Sequence, residues 1–346
     1  MAFAAMAFFM GKTIFRPSDK ILKVKSIALF SGGLDSTLAA KLMLELGIEV
    51  ECVTFETPFF GVEKATTAAK IIGLPLTVIN ITDAYLPMLH APRYGYGKNM
   101  NPCIDCHTLM LKTAGARMEA TGADFVITGE VLGQRPMSQT KQSLHLVANN
   151  SGYGDVTLRP LSAQLLPETK PEREGKIDRS RLLAIQGRGR KIQMDLARHY
   201  GIMDYPPPAG GCLLTDPNYS RRLRDLFDHQ PECGLRDIEL LKFGRHFRIQ
   251  ERCKAIVGRN QADNEAIQHL IAEDDAVIHM ADVPGPTTLV PGGGDQQALA
   301  IAAALCVLYS GEPPHQPRQT LCRLGHGDLS FTTMAISRQE AQRMLL

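Results

Sequence analysis

The chain has no run approaching the ~20 consecutive apolar residues of a membrane-spanning helix. No membrane partner is therefore expected. Its apolar start, Met1 to Met10, has no basic segment before it and no small-residue cleavage site after it, so it does not read as a secretory leader. Residues 1–20 are expected to form an extension, as a disordered tail or a mis-assigned start. Strong net charge is missing too. Lys+Arg 38 against Asp+Glu 36 gives only +2, which announces no polyanionic partner. A disulfide framework is also excluded, since 8 cysteines in 346 residues are too sparse for one. A CxxC pair among them fits metal or redox chemistry in a reducing cytoplasm. What the chain does have is 44% hydrophobic content, enough for two domains with real cores.

The most informative segment is Ser31-Gly32-Gly33-Leu34-Asp35-Ser36. It follows the apolar run Ile27-Ala28-Leu29-Phe30 and precedes leucines at 34, 38, 42 and 46. That context is strand, glycine turn, helix N-terminus, where unpaired N–H groups and the helix dipole can hold an anion. Two glycines permit close approach of a phosphate, and Ser31 and Ser36 add hydroxyl donors. Asp35 makes sense beside a phosphate when Mg²⁺ lies between them. A Walker A loop would need a Gly-Lys-Ser/Thr ending, which is absent.

Further along, Gly47 ends the first helix, Val50 to Phe55 reads as a second strand with Thr54 near its end, and Glu63 to Ile72 as a helix. Leu74 to Ile81 is a third strand, Thr108 to Ala120 a helix, and Phe125 to Ile127 a buried strand. Alternating strands and helices predict an α/β fold with a doubly wound parallel sheet. Ligands bind beyond the carboxyl ends of such strands. The Ser31 loop, the region after Phe55, and Thr128 to Gln134 should therefore converge, with Thr54, Gly129 and Gln134 among the nucleotide contacts. Pro206-Pro207-Pro208-Ala209-Gly210-Gly211 breaks a helix around Gln193 to Tyr200. From Leu235 the pattern becomes that of a separate α+β domain: strand-like His246 to Val257, helix Ala262 to Ala272, strand Ala276 to Met280 and an alanine-rich helix Asp295 to Tyr309. The expected division is an extension (1–20), a nucleotide domain (21–205), a Cys212 loop and linker (206–234) and a C-terminal domain (235–346).

Two basic runs, Lys170 to Arg198 and Arg221 to Arg259, suit a folded nucleic acid, although solvated helix faces look the same. Cys103 and Cys106 stand one helical turn apart, and Cys212 follows the proline–glycine turn; Cys52 and Cys306 lie in apolar runs and read as core. Three thiolates could hold a [4Fe–4S] cluster with one iron open to sulfide. They could instead bind zinc with His107 or Asp105 as the fourth ligand, or carry a persulfide on one cysteine and resolve it with another.

SGGLDS resembles the pyrophosphate-binding loop of the PP-loop ATPases, which cleave ATP between the α- and β-phosphates and pass AMP to an oxygen being activated. Asn101-Pro102-Cys103-x-x-Cys106 is similar to the NPCxxC segment of MnmA-type tRNA 2-thiouridylases, whose first cysteine is functional. Thr128-Gly129-Glu130-x-Leu132-Gly133-Gln134, followed by Ser138-Gln139, resembles the TGExLGQ…SQ segment of ThiI-type 4-thiouridine synthetases, as does Leu158-Arg159-Pro160-Leu161. The three-cysteine pattern resembles cluster-dependent tRNA thiolases of the TtcA kind. These likenesses span roughly residues 24 to 220. Beyond them, Val257-Gly258-Arg259-Asn260-x-x-x-Asn264, Asp275 to His279 and Pro284-Gly285-Pro286 are similar to the NFACT-R domain, an RNA-binding module, in which Arg259 and Asn260 could contact phosphate or base edges.

The resemblance implies a cytoplasmic ATP- and Mg²⁺-dependent RNA sulfurtransferase, with tRNA as substrate, a separate sulfur donor, and a homodimer as one assembly it allows. Ser31, Gly32, Gly33 and Ser36 would hold pyrophosphate and Asp35 the magnesium. Cys103, Cys106 and Cys212 would bind the cluster or handle the sulfur directly. Two other readings keep the loop: a ligase or amidotransferase acting on a small metabolite, and a nucleotide-dependent RNA-binding factor without catalysis.

Overall fold

The computed structural model describes residues 23–207, 211–325 and 327–346; the expected N-terminal extension and Pro208 to Gly210 lie outside them. The first half runs β1 (Lys25–Leu29), α1 (Leu34–Glu45), β2 (Glu49–Glu56), α2 (Glu63–Ile72), β3 (Leu76–Asn80), α3 (Thr82–His90), α4 (Cys103–Thr121), β4 (Phe125–Thr128), α5 (Lys141–Ser151) and β5 (Thr157–Leu158), with α3, α5 and β5 added to the elements expected from sequence. All pairings are parallel, in the order β3-β2-β1-β4-β5. The chain steps outward from β1 through β2 to β3, then returns to the opposite side of β1. The switch in direction thus falls between β1 and β4, where Leu29 pairs with Thr128. That crevice is where a sheet of this kind receives its ligand.

After β5 come the short α6 (Lys170–Arg173), then α7 (Lys191–His199), α8 (Pro217–His229) and α9 (Leu235–Leu240). α7 packs on α1 through Ala197 against Leu34 and Leu38, with Val131 from the segment after β4 in the same cluster. α8 places Tyr219, Leu223 and Leu226 in the same core as Ile27 of β1 and Leu111 of α4. The C-terminal part is a six-stranded antiparallel sheet, β11-β10-β8-β9-β7-β6. Its strands are β6 (Arg245–Gln250), β7 (Cys253–Val257), β8 (Ala276–Met280), β9 (Thr288–Val290), β10 (Arg318–Leu324) and β11 (Gly327–Thr333). α10 (Gln261–His269), the alanine-rich α11 (Gln296–Leu308) and α12 (Arg338–Met344) complete it. Alanine lets α11 lie close to the strands, and Ala298, Ala302 and Ala303 are wholly buried there.

α9 serves both halves. Ile238 and Leu241 join the first core, whereas Leu240 packs with Ile256 and Val277 of the second. No helix among the described residues is long and apolar enough to cross a membrane.

Candidate functional site

The glycine turn after β1 is built by its contacts. Gly32 has φ +70, and a Cβ there would run into the backbone carbonyl of Lys64 at the start of α2. Only glycine permits that approach. Gly33 is the N-cap of α1 and has no side chain to bond the first N–H groups, which leaves those donors for a ligand. Ser36 Oγ donates to the Gly33 carbonyl at 2.9 Å and lies 3.3 Å from Ser31 Oγ.

Asp35 is held from across the crevice. Gln134 Nε2 donates to its Oδ2 at 2.6 Å, and Gln193 Nε2 donates to Gln134 Oε1 at 2.8 Å. Asp35 Oδ1 is buried with no hydrogen-bond partner among the described residues. A buried carboxylate oxygen without a donor is unfavourable unless a cation or other donor meets it. The group therefore fits a magnesium ion accompanying a nucleotide. Gly129 lies so close to α1 that a Cβ would strike the backbone of Asp35 and Ser36. Thr54 is buried within β2, near the carboxyl end of that strand.

The same short segment reaches the cysteines. Glu130 follows Gly129, and its carboxylate takes Arg159 Nε at 2.9 Å, Thr128 Oγ1 at 3.1 Å and His107 Nδ1 at 3.1 Å. Burial alone would raise the Glu130 pKa. The Arg159 charge, with His107 and Thr128, overcomes that and holds it down at about 2. A carboxylate only accepts hydrogen bonds, so Nδ1 of His107 carries the proton.

α4 begins at Cys103, five residues before the helix start at Thr108 expected from sequence. Cys103 and Cys106 accordingly sit on its first turn. Cys212, beside α8, completes the group: the three thiols lie within electrostatic reach of one another. Burial pushes the Cys212 thiol up to about 11, with a further upward push from Cys103 against a backbone hydrogen bond from Leu214. Burial, then Cys212, pushes the Cys106 thiol still higher, with Tyr85 bonding against the trend. Asn101 Nδ2 donates to Cys103 Sγ at 3.1 Å.

His107 is engaged by Glu130, and Asp105 Oδ2 accepts the Tyr94 N–H at 3.0 Å. These bonds use only Nδ1 of His107 and one oxygen of Asp105, so either residue could still ligate a metal through its other atom. The donor set that converges is three soft thiols, the ligands iron–sulfur clusters favour. Among the described residues no group of three or more His, Cys, Asp or Glu stands in preformed metal-holding geometry. Cys52, Cys253, Cys306 and Cys322 are buried core residues. Cys212 also borders an open cleft of about 1130 Å³ between Glu56 to Glu63 and α9.

The basic runs look different in three dimensions. Arg173 pairs with Asp155, Lys176 with Asp124, Arg179 with Glu172 and Arg198 with Asp195. In the second run Arg236 pairs with Asp275, Lys242 with Glu239, Arg248 with Asp225 and Arg259 with Asp263. Asn260 caps α10 by accepting the Asp263 N–H, and Asn264 Oδ1 accepts the Thr287 N–H. The Arg259–Asn260 turn is thereby explained as structure, and contact with RNA is not needed to account for it. Sequence reasoning missed Gln193 altogether and gave Glu130 and Arg159 no role; an isolated polar residue in an apolar helix face was the one signal for Gln193.

Residues 22–164 match the family model described as thiamine biosynthesis protein (ThiI), and residues 244–342 that described as NFACT protein RNA binding domain. The chain thus carries a ThiI-type domain followed by an NFACT-type domain. A probable tRNA sulfurtransferase from Caldanaerobacter subterraneus subsp. tengcongensis is 34% identical over 146 residues, 40% of this chain and 36% of that protein. A tRNA-specific 2-thiouridylase MnmA from Clostridium acetobutylicum is 34% identical over 124 residues, 30% of this chain and 35% of that protein. This chain spans little more than a third of the length of either relative. A solved 4-thiouridine synthetase–RNA complex with bound ATP is similar at 22% identity and a TM-score of 0.38, covering 63% of this chain and 52% of that one.

Proposed function

We propose that the protein is an ATP-dependent sulfurtransferase acting on RNA, with tRNA as the substrate. One observation carries the reading: Gly129 and Glu130 join the glycine loop to the thiol-bearing turn of α4, Gly129 lying against Asp35 and Ser36 while Glu130 holds His107, next to Cys106. An activating site and a sulfur site so linked suit one two-step reaction. The ThiI-type and NFACT-type matches and the names of the curated relatives support the same reading.

Ser31, Gly32, Gly33 and Ser36 hold the pyrophosphate part of ATP, and Asp35 binds the accompanying Mg²⁺. A nucleobase carbonyl oxygen attacks the α-phosphorus. The bond to the β-phosphate oxygen breaks, pyrophosphate leaves, and the base carries AMP on its former carbonyl oxygen. N–H groups at the start of α1 stabilise the charge that builds on the phosphates. Sulfur then adds at the activated carbon, and AMP departs with the oxygen, leaving C=S. Cys103, Cys106 and Cys212 would hold a [4Fe–4S] cluster by three corners, which when bound supplies an iron able to present sulfide. The alternative is a metal-free route. A persulfide carrier passes its outer sulfur to one cysteine thiolate, that sulfur attacks the activated carbon as AMP leaves, and a second cysteine breaks the S–S bond to free the thionucleoside. A dithiol reductant would then restore the resulting disulfide. Action on tRNA suits a cytoplasmic enzyme.

The test is anaerobic purification with iron and sulfide analysis, followed by incubation with tRNA, ATP, Mg²⁺ and sulfide. Thionucleoside formed in step with AMP is expected, with about four irons per chain lost on Cys103→Ala, Cys106→Ala or Cys212→Ala. Iron-free protein that thiolates with a persulfide donor and a dithiol reductant in place of sulfide would select the persulfide route, and failure to release AMP with any RNA would overturn the proposal.

A further inference from the structure

Gln193 is fully buried on the face of α7 that packs against α1, beside Leu34, Leu38, Val131 and Ala197. An apolar side chain would be the favourable choice there, because a buried amide is costly unless its polar ends are bonded. Gln193 bonds only one end: its Nε2 donates to Gln134 Oε1 at 2.8 Å, while its own Oε1 has no partner among the described residues. The residue thus carries a penalty within an interface that apolar packing alone would satisfy better.

Its single bond has a definite consequence. A glutamine amide can present either its carbonyl or its NH₂ group to a neighbour. With the Gln134 carbonyl occupied by the Gln193 donor, the Gln134 NH₂ is directed to Asp35 Oδ2, which it meets at 2.6 Å. Asp35 can then neither rotate freely nor offer both oxygens to the protein. Its Oδ1 stays buried and unpartnered. We infer that Gln193 is a positioning residue, which locks Gln134 so that Asp35 keeps one oxygen for the cation that accompanies bound ATP. The inference rests on the nucleotide reading of the glycine loop given above. It assigns a role to α7 in setting the metal affinity of a loop 158 residues away in sequence (193 − 35).

Equilibrium binding of ATP to the full chain at increasing Mg²⁺ concentration tests it. Gln193→Met matches the side chain in size and suits the apolar interface, so its thermal midpoint should equal or exceed that of the unchanged protein. Its Mg²⁺ midpoint for ATP binding should rise by about tenfold or more, as when partners that orient a metal ligand are removed. Binding of ATP in the presence of EDTA should not change. Gln134→Met should raise the Mg²⁺ midpoint as well, and adding Gln193→Met to it should have no further effect, since the lock is already gone. An unchanged Mg²⁺ midpoint in Gln193→Met, or effects of the two substitutions that simply multiply, would overturn the inference. If the unchanged protein binds no ATP, the nucleotide reading fails and the inference with it; if it binds ATP without Mg²⁺ dependence, the nucleotide reading stands and the inference alone fails.

Discussion

Nδ1 of His107 donates to Oε1 of Glu130 across 3.1 Å, while the other oxygen of that carboxylate takes the buried Arg159 at 2.9 Å. One side chain thus ties the first turn of α4 to the segment that follows β4. Two long-range partners, with Thr128 from its own segment, meet on it, and they make Glu130 the charge on which the junction of the two sites depends.

Its removal should be felt in stability, with a pH dependence of known sign. The folded-state pKa is depressed from 4.5 to about 2, so the stabilisation is complete above pH 4.5 and is lost as pH falls towards 2. The difference corresponds to about 3 kcal/mol. Glu130→Gln leaves Arg159 buried without its counter-charge, a change that typically costs about 3–5 kcal/mol. Thermal unfolding of the two proteins across pH should show the gap widest near neutrality and narrowing below pH 4.5. A gap of constant size down to pH 2.5 would show that the Glu130 charge is not what matters.

The close approach of Gly129 to α1 makes a second prediction. Gly129→Ala drives a methyl group into the backbone of Asp35 and Ser36, and such overpacking costs about 1–3 kcal/mol. Because the atoms displaced are those of the nucleotide loop, ATP binding should be lost along with stability. Gly122→Ala is the control. Gly122 has φ +67 but nothing within 4 Å of its added Cβ, so it should cost about 1 kcal/mol and leave ATP binding intact. Equal ATP affinity in the two variants, measured by calorimetry, would detach Gly129 from the site.

Much of this was legible in the sequence, for local reasons. The strand–glycine–helix junction at Ser31 to Ser36 is encoded by neighbours within a few residues, and the alternation of β1 to β4 follows from apolar runs between glycines. Three cysteines could be grouped because thiols in special loop settings are rare. The start of α4 was misplaced because Cys-Ile-Asp-Cys-His has no strong helical pattern, and packing of Ile104 and Cys106 against the core that holds Tyr85 supplies what propensity does not. Gln193 and Glu130 were silent for a different reason. Their partners lie 59 residues (193 − 134) and 29 residues (159 − 130) away, and hydrogen bonds at that separation leave no period to read. The basic runs show charge in sequence but not its pairing, so the members held in internal ion pairs could not be told there from free ones among the described residues, such as Arg188 and Lys191.

Lys254 carries the opposite kind of charge effect. It is 5% exposed, and its Nζ has no hydrogen-bond partner among the described residues. Burial, reinforced by Arg248, lowers its pKa to about 8 despite Asp237 and Asp225 nearby. Below pH 8 the folded state therefore bears the cost of a buried ammonium, and stability should rise as pH climbs from 8 towards 10.5. Lys254→Met removes the charge and keeps the stem. It should stabilise the protein by about 1–3 kcal/mol at pH 7, and the gain should shrink above pH 8 when unfolding is followed in denaturant. Destabilisation by Lys254→Met at pH 7 would mean that the ammonium has a partner worth more than its desolvation.

The pairing of Arg259 with Asp263 separates two accounts of the C-terminal domain. If the Arg259–Asn260 turn reads RNA, Arg259→Ala should weaken RNA binding at little cost to stability. The geometry argues otherwise. Arg259 Nε meets Asp263 Oδ2 at 2.5 Å, and Asn260 Oδ1 caps α10 through the Asp263 N–H at 2.9 Å. Both side chains are committed to holding the start of that helix. Asn260→Ala should cost about 1 kcal/mol, the usual worth of an N-cap, and Arg259→Ala should also lower the unfolding midpoint. Neither should change RNA affinity beyond about twofold. Exposed cations outside the internal ion pairs are the better candidates for phosphate contact, among them Arg188 and Lys191 at the start of α7. Arg188→Ala and Lys191→Ala should each weaken RNA binding and flatten its dependence on salt, since each phosphate contact removed lowers the number of counterions released. RNA affinity measured at several salt concentrations for all four variants decides the matter. A strong effect confined to Arg259→Ala would return RNA recognition to the Arg259 turn and away from α7.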